Sequence, residues 1–571
     1  MTTHTGAASR PGTSSGEADP RRWIALAIVL TAAFMQLVDI SIVNVAIPSV
    51  QRNLDATYSQ VQWVLAGYQL AFAVTLITGG RLGDIFGRKR MFILGMAGFT
   101  LASALCGLAQ SPGMLIASRV LQGLMGAIMF PQVLSVIQVS FPPRERATAL
   151  GIFGATIGVA TIAGPLVGGL LIQANLLGLD WRPIFLVNVP IGIASLTAAA
   201  FLLRESRSAD ARRLDLGGVA LVTAGLLLLV YPLVQGRELG WPRWTFLSMA
   251  ASVPVLALFA LYERRKKRRD GSPLVDLDLF RQRPFVSGLL LSLIFFMGIS
   301  AFFLTFTIYL QIGLGFTALH AGLTTVPFAI FSAIASGASV RLAPRLGTRV
   351  LHLGTLLLTS GMGAVILTIH RYGTSLRSWQ LIPALALCGL GLGSVVAPLV
   401  NLVLAGIRRE DAGAASGLLT TVQQVGGSIG VAIIGVIFFG LLASHADTAS
   451  AEVAPQLRAG LQAAGVPAGA REGVVLSFRR CFHDRSASHD PSATPPSCDQ
   501  SRPQGGGQAG QRAGGVAQAA AVEARKRDFS EAIQRTLLFE VAVFAASFLL
   551  VFTLPKVRGE ALRQQGATVA A

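Results

Sequence analysis

Charge is what this chain has least of. Only 13% of its 571 residues are Asp, Glu, Lys or Arg, against about 25% in an ordinary soluble domain. That shortage, with 52% hydrophobic residues and a mean hydropathy of +0.61, excludes a water-soluble globular protein. Cysteine is scarce too: of four, Cys106 and Cys388 fall in apolar stretches, and Cys481 and Cys498 in a polar one. No Gly-Lys-Ser/Thr phosphate loop is present, which argues against an ATP-driven pump. Gly389-Leu-Gly391-Leu-Gly393 has the glycine spacing of a nucleotide loop, but it lies inside an apolar run with no strand before it. No metal-ligand cluster or catalytic triad stands out, so no metal, cofactor or enzymatic activity is expected.

What the chain does have is apolar length. Fourteen stretches are long enough to cross the roughly 30 Å hydrocarbon core as helices. They are 24–47, 60–79, 91–110, 114–139, 149–173, 184–203, 215–235, 244–262, 285–310, 318–340, 350–369, 379–406, 413–442 and 536–555. Residues 1–22 are polar and Ser/Gly-rich and read as a disordered tail. The first apolar run is too long for a signal peptide's core and lacks a small-x-small cleavage site.

A net charge of +19 and the run Arg264-Arg265-Lys266-Lys267-Arg268-Arg269 invite a nucleic-acid reading. The distribution argues against it. With the N-terminus inside, the two tails and the inner loops hold 29 Lys/Arg and the short outer loops 6. This alternation is the positive-inside pattern of a multi-pass protein in the cell membrane with both termini cytoplasmic. The basic run is then a topological anchor beside anionic lipid.

The segment between the second and third spans, Gly80-Arg81-Leu-Gly-Asp84-Ile-Phe-Gly87-Arg88-Lys89-Arg90, places four cations and one acid in about ten residues. A fainter copy, Val340-Arg341-Leu342-Ala343-Pro344-Arg345-Leu346-Gly347, follows span 10. The repeat divides the chain into a tail (1–22), an N-terminal half (23–203), two inserted helices with a basic loop (204–284), a C-terminal half (285–555) carrying an external loop (443–535), and a second tail (556–571).

Further motifs fall on particular spans. Span 1 carries Leu37-Val-Asp39-Ile-Ser-Ile-Val-Asn44-Val-Ala46-Ile-Pro48, and span 4 carries Arg119-Val-Leu-Gln122-Gly123-x-x-Gly126. Span 5 carries Ala160-x-x-x-Gly164-Pro165-x-x-Gly168-Gly169, and Trp181-Arg182-x-Ile-Phe185-x-x-Asn188-Val-Pro190 precedes span 6. Span 13 carries Ser416-Gly417 and Gln423-Gln424-Val-Gly426-Gly427. In this order the set resembles the 14-helix drug:proton antiporter branch of the major facilitator superfamily, over nearly the whole chain. Ala160 stands where that branch's span-5 motif has glycine. The resemblance implies an all-α membrane protein of the major facilitator fold, with two six-helix halves and two inserted central helices. It implies amphipathic, often cationic drugs or antibiotics as substrates, and ties the span-5 bend to sealing against proton leak.

The residues carry their own physical reading. Asp39 is the one acid deep in the first half, and an ionisable group at membrane depth faces the bundle interior and marks a functional site by default. It lies about 12–14 Å from the outer end of span 1, and Arg119 about 8 Å below the same surface, by helical rise. Shared depth makes Arg119 its candidate partner, and a carboxyl that exchanges a guanidinium for a proton is a coupling switch. The alternative is a purely structural ion pair. Asp84 with Arg88 reads as a latch that changes with transporter state. Gly154/Gly158 and Gly164/Gly168 are each spaced by four and make a close-packing face, with Pro165 bending the helix. Asn44, Gln69, Gln423 and Gln424 are candidate cavity residues, with interhelical hydrogen bonding the plainer alternative. Glu540 and His320 are weaker candidates, Glu540 lying near the headgroups about one turn into span 14. Cys481 and Cys498 share the expected outer, oxidising side and can pair. Together these point to a monomeric, proton-coupled exporter whose partners are a small amphipathic substrate, protons and the bilayer. Export of an endogenous lipid or siderophore is the first alternative; a non-transporting sensor or scaffold on the same fold is the second.

Overall fold

The computed structural model describes residues 21–207, 214–404, 412–487, 495–499 and 508–554. The expected tails lie outside the described residues except at their inner edges, and so does much of 486–515.

Each apolar stretch is a helix: α1 Arg22–Leu54, α2 Tyr58–Phe86, α3 Arg88–Gly107, α4 Pro112–Ser140, α5 Pro143–Ala174, α6 Pro183–Leu202, α7 Leu216–Gln235, α8 Arg243–Asp270, α9 Arg283–Gly313, α10 Ala318–Leu346, α11 Arg349–Tyr372, α12 Ser378–Leu404, α13 Ala412–Ala463 and α14 Gln508–Val551. Among the described residues, thirteen are long and apolar enough to cross a membrane. The fourteenth, α5, is 32 residues long and contributes the apolar stretch Ala163–Ala174. Helix is the only element here that satisfies its own backbone in lipid. Polar residues mark the helix starts. Thr57 and Gln60 cap α2 reciprocally, Ser111 accepts from the Met114 amide on α4, and Thr317 accepts from the His320 amide on α10.

Successive helices alternate direction. The end carrying the α1–α2 and α7–α8 connections is called distal, and the end carrying the α2–α3 and α8–α9 connections proximal. The packing repeats itself. In the first half α1 packs on α5, α2 on α4, α3 on α4, and α3 on α6; in the second, α9 packs on α13, α10 on α12, α11 on α12, and α11 on α14. Between the halves α2 packs on α13, and α5 on α10, which are equivalent pairs in that scheme. The inserted α7 and α8 pack on each other, and α7 also touches both α2 and α13.

One feature departs from the sequence reading. The segment 80–90, expected as a turn of about ten residues, is almost all helix: α2 runs through Phe86, α3 starts at Arg88, and Gly87 alone connects them. Its φ of +109° is open to glycine and strained for other residues, so one residue suffices for the reversal. Gly347, its counterpart in the repeat, likewise has positive φ (+58°) and ends α10. The segment 443–535, whose Ala-rich ends read as helical, is helical at both ends. α13 is 52 residues long and α14 begins far ahead of its apolar part; the α13 extension packs with the helix Ala468–Ala487, and α13 with α14. Val453, Leu457, Leu461, Val475, Phe478 and Ala520 form a small separate core there.

Candidate functional site

Five helices of the first half converge on one carboxylate. Asp39 (α1), Ser103 (α3), Arg119 and Gln122 (α4) and Asn188 (α6) are all buried. Arg119 Nη1 donates to Asp39 Oδ2 at 2.5 Å and to Gln122 Oε1 at 2.6 Å. Gln122 Nε2 donates to Asp39 Oδ1 at 2.9 Å and to Ser103 Oγ at 2.7 Å. Asn188 Nδ2 donates to Asp39 Oδ1 at 3.0 Å. From α2, the Val64 carbonyl accepts from Arg119 Nε at 3.2 Å, and the Tyr68 ring lies 4.1 Å from the guanidinium carbon. Three donors on one carboxylate and a π face on its cation are how a buried ion pair offsets the loss of water.

The span-5 glycines let α5 approach this site. A Cβ on Gly164 would overlap the Ser41 hydroxyl, and one on Gly168 would stand 2.6 Å from Ile42 Cγ1, both on the turn of α1 after Asp39. Gly169 faces the other half: its Cβ would meet Leu319 Cα at 2.7 Å on α10. Pro165 lies inside the helix, and its carbonyl would be 2.5 Å from a Cβ on Gly322.

At the proximal end Arg88 pairs with Asp84 at 3.1 Å. A third residue, Glu205, ties the segment together. It accepts from the Lys89 amide at 3.1 Å, lies 3.7 Å from Arg90 Nε, and fills the space a Gly87 side chain would need. Lys89 Nζ donates to the Ala200 carbonyl at 2.6 Å. Gly80 faces Pro131 of α4. Arg81 turns the other way, donating to the carbonyls of Ser272, Pro273 and Leu274 in the α8–α9 connection.

Sequence comparison agrees with this architecture. The Major Facilitator Superfamily family model matches residues 29–431. The chain belongs to the major facilitator superfamily. As a member it is a multi-pass membrane transporter and not an enzyme. It is 43% identical over 558 residues, covering 95% of this chain and 94% of the relative, to the "Probable actinorhodin transporter" of Streptomyces coelicolor. It is 35% identical to the tetracenomycin C resistance and export protein of Streptomyces glaucescens, over 73% of this chain and 76% of the relative. Among solved structures, a bacterial homolog of the human lysosomal transporter Spinster superposes with a TM-score of 0.61 at 16% identity, covering 94% of this chain and 98% of that one. That likeness is one of fold.

The remaining candidates of this facilitator are dispersed. Gln69 lies on the α2–α13 seam, where a Cβ on Gly427 would meet its Oε1 at 2.9 Å. Gln423 and Gln424 are half-buried on α13, between Thr421, which donates to the Ala73 carbonyl, and Ser428, which donates to the Ala66 carbonyl. Asn44 makes a long 3.4 Å hydrogen bond to the Ile40 carbonyl in its own helix. His320 Nε2 is 2.8 Å from Ser378 Oγ at the distal end. Glu540 does not face headgroups. It is fully buried in the second half, where α14 packs on α9, α11 and α13, and neither carboxylate oxygen has a hydrogen-bond partner. It lies about one turn into the apolar run, but its side chain is turned into the bundle. Cys481 and Cys498 are joined at S–S 2.00 Å.

Gln122 and Asn188 stood in motifs without an assigned role, and Ser103, Tyr68 and Glu205 carried no signal beyond ordinary composition. The spacing Arg119–Gln122, three apart on one helix face, was the available clue for Gln122.

Proposed function

We propose that this protein is a proton-coupled exporter of amphipathic drugs or antibiotics, working as a monomer by alternating access, with the proximal end and both termini cytoplasmic. The observation that carries the coupling is the Asp39–Arg119 pair, buried at membrane depth and shared among five helices. A carboxylate held by movable donors takes up a proton when those donors withdraw, and a rearrangement of the five helices is what would withdraw them. The substrate class is supported by the relatives, named for actinorhodin transport and for tetracenomycin C resistance and export. Asp84, Arg88 and Glu205 form the cytoplasmic gate in this reading, released when α2 and α3 move relative to α6.

The test is Asp39→Asn, which keeps the side chain's size and its acceptor oxygen. The variant reaches the membrane at normal abundance, and drug efflux driven by an imposed pH gradient falls at least about tenfold, one decade being about 1.4 kcal/mol. Efflux at the wild-type rate would show that the pair is structural.

A further inference from the structure

The inserted helices have no place in that cycle, yet their contacts are specific. α7 lies along the α2–α13 seam. Leu226 packs on Leu70 and Val74 of α2 with Val425 of α13 beside them; Val230 and Val234 pack on Ala432 and Ile429 of α13 with Trp63 of α2. At the proximal end the pair is fastened to α2 through Arg81 and the Ser272–Leu274 carbonyls. At the distal end it is fastened to α2 again: Ser59 Oγ donates to the Val234 carbonyl at 2.9 Å, and the Ser59 amide to Glu238 Oε1 at 3.1 Å.

Among the described residues, one polar side-chain link crosses from the inserted pair to the other half. Arg237, in the α7–α8 connection, donates from Nη2 to the Phe439 carbonyl on α13 at 3.0 Å, its guanidinium carbon 5.7 Å from the Phe439 ring. That ring lies 3.8 Å, centroid to centroid, from Tyr58 of α2, tilted by 31°. Beneath it Gln62 of α2 occupies the space a Gly435 side chain would fill. The distal seam is thus plugged by Gln62 and Tyr58, and Arg237 spans it from outside. α2 and α13 are interface helices on opposite halves, so any opening of the distal end must separate them.

We propose that the α7–α8 pair travels with the first half and that Arg237 is the latch holding the distal gate shut. Two ties to α2 make the pair part of that half; one charged hydrogen bond to a backbone carbonyl is the link that must break. A carbonyl acceptor suits this role, because it gives a directional bond without placing a countercharge in the opening pathway. The proposal rests on the alternating-access reading, and its test needs neither substrate nor a pH gradient.

Ser428 of α13, buried on the seam with its hydroxyl on the Ala66 carbonyl, serves as the reporter. A Ser428→Cys protein is labelled in intact cells with a membrane-impermeant maleimide, against its parent. Adding Arg237→Ala raises the labelling rate about tenfold, the equivalent of ~1.4 kcal/mol. Arg237→Met, which keeps the apolar stem and removes the donors, does the same. Labelling at the parental rate in both Arg237 variants overturns the latch. Failure of Asp39→Asn to lose proton-driven efflux would leave this result untouched.

Discussion

At the residue scale, the site depends on what its neighbours leave out. Asp39 is saturated by donors from α4 and α6, and the next turn of α1 lies within glycine distance of α5. Gly164→Ala is expected to destabilise the protein by about 1–3 kcal/mol, the usual result of forcing a methyl into filled space. Ser41→Gly in the same protein should recover most of that loss, because the clash is with the Ser41 side chain. Thermal unfolding of the two single variants and the double variant in detergent measures the coupling; additive losses would mean that Gly164 answers to something other than Ser41. The charged members of the site were legible in the sequence. An acid and an arginine at membrane depth are conspicuous, and helical rise places them near one level. Gln122, Asn188 and Ser103 were not, because a neutral polar residue in an apolar helix can bond its own backbone, as Ser41 and Thr100 do. Glu540 was misplaced because depth along a span does not say which face of the helix a residue is on, and this one faces the bundle.

At the element scale, connections matter more than spans. Fourteen helices were legible because lipid demands unbroken apolar length. The continuation of α2 past the membrane was not, since residues 80–86 are polar enough to read as loop. The contact of α7 with the seam left no mark either, since a helix apolar on every face does not say which face meets protein. The distal cap is the clearest extension. It has its own small core, a Cys481–Cys498 bond, and an Arg458–Glu472 pair that holds Glu472 below the ordinary glutamate range. All of it is built on α13 and α14, within one half. Replacing both cysteines by serine is therefore expected to leave drug efflux within about twofold while raising protease sensitivity of the cap. Thiol counting by mass spectrometry under non-reducing conditions should find both sulfurs blocked in the parent. Normal abundance with lost efflux would assign the cap a part in transport.

At the scale of the whole molecule, the repeated pairings make two seams, α2–α13 and α5–α10, equivalent by fold and unequal by cover, because α7 lies on the first. The proposed orientation follows from 29 Lys/Arg in the tails and proximal loops against 6 in the short distal loops. An added cysteine at Gly465, in the turn after α13, is expected to react with an impermeant reagent on intact cells. Reaction after lysis alone would invert the molecule or change its number of crossings. The 52 residues of α13 make a rod of roughly 78 Å at 1.5 Å per residue, against a hydrocarbon core of about 30 Å. About 32 Å of it, the 21 residues past 442, stands clear of the lipid, braced by α14 and fixed to one half. A rocking of about 10° between the halves would swing its tip by about 6 Å, several times the displacement near the pivot. The cap is therefore a pointer attached to the moving part, and a dye on it paired with one on a distal loop of the first half would turn a rotation inside the membrane into a distance readable in water.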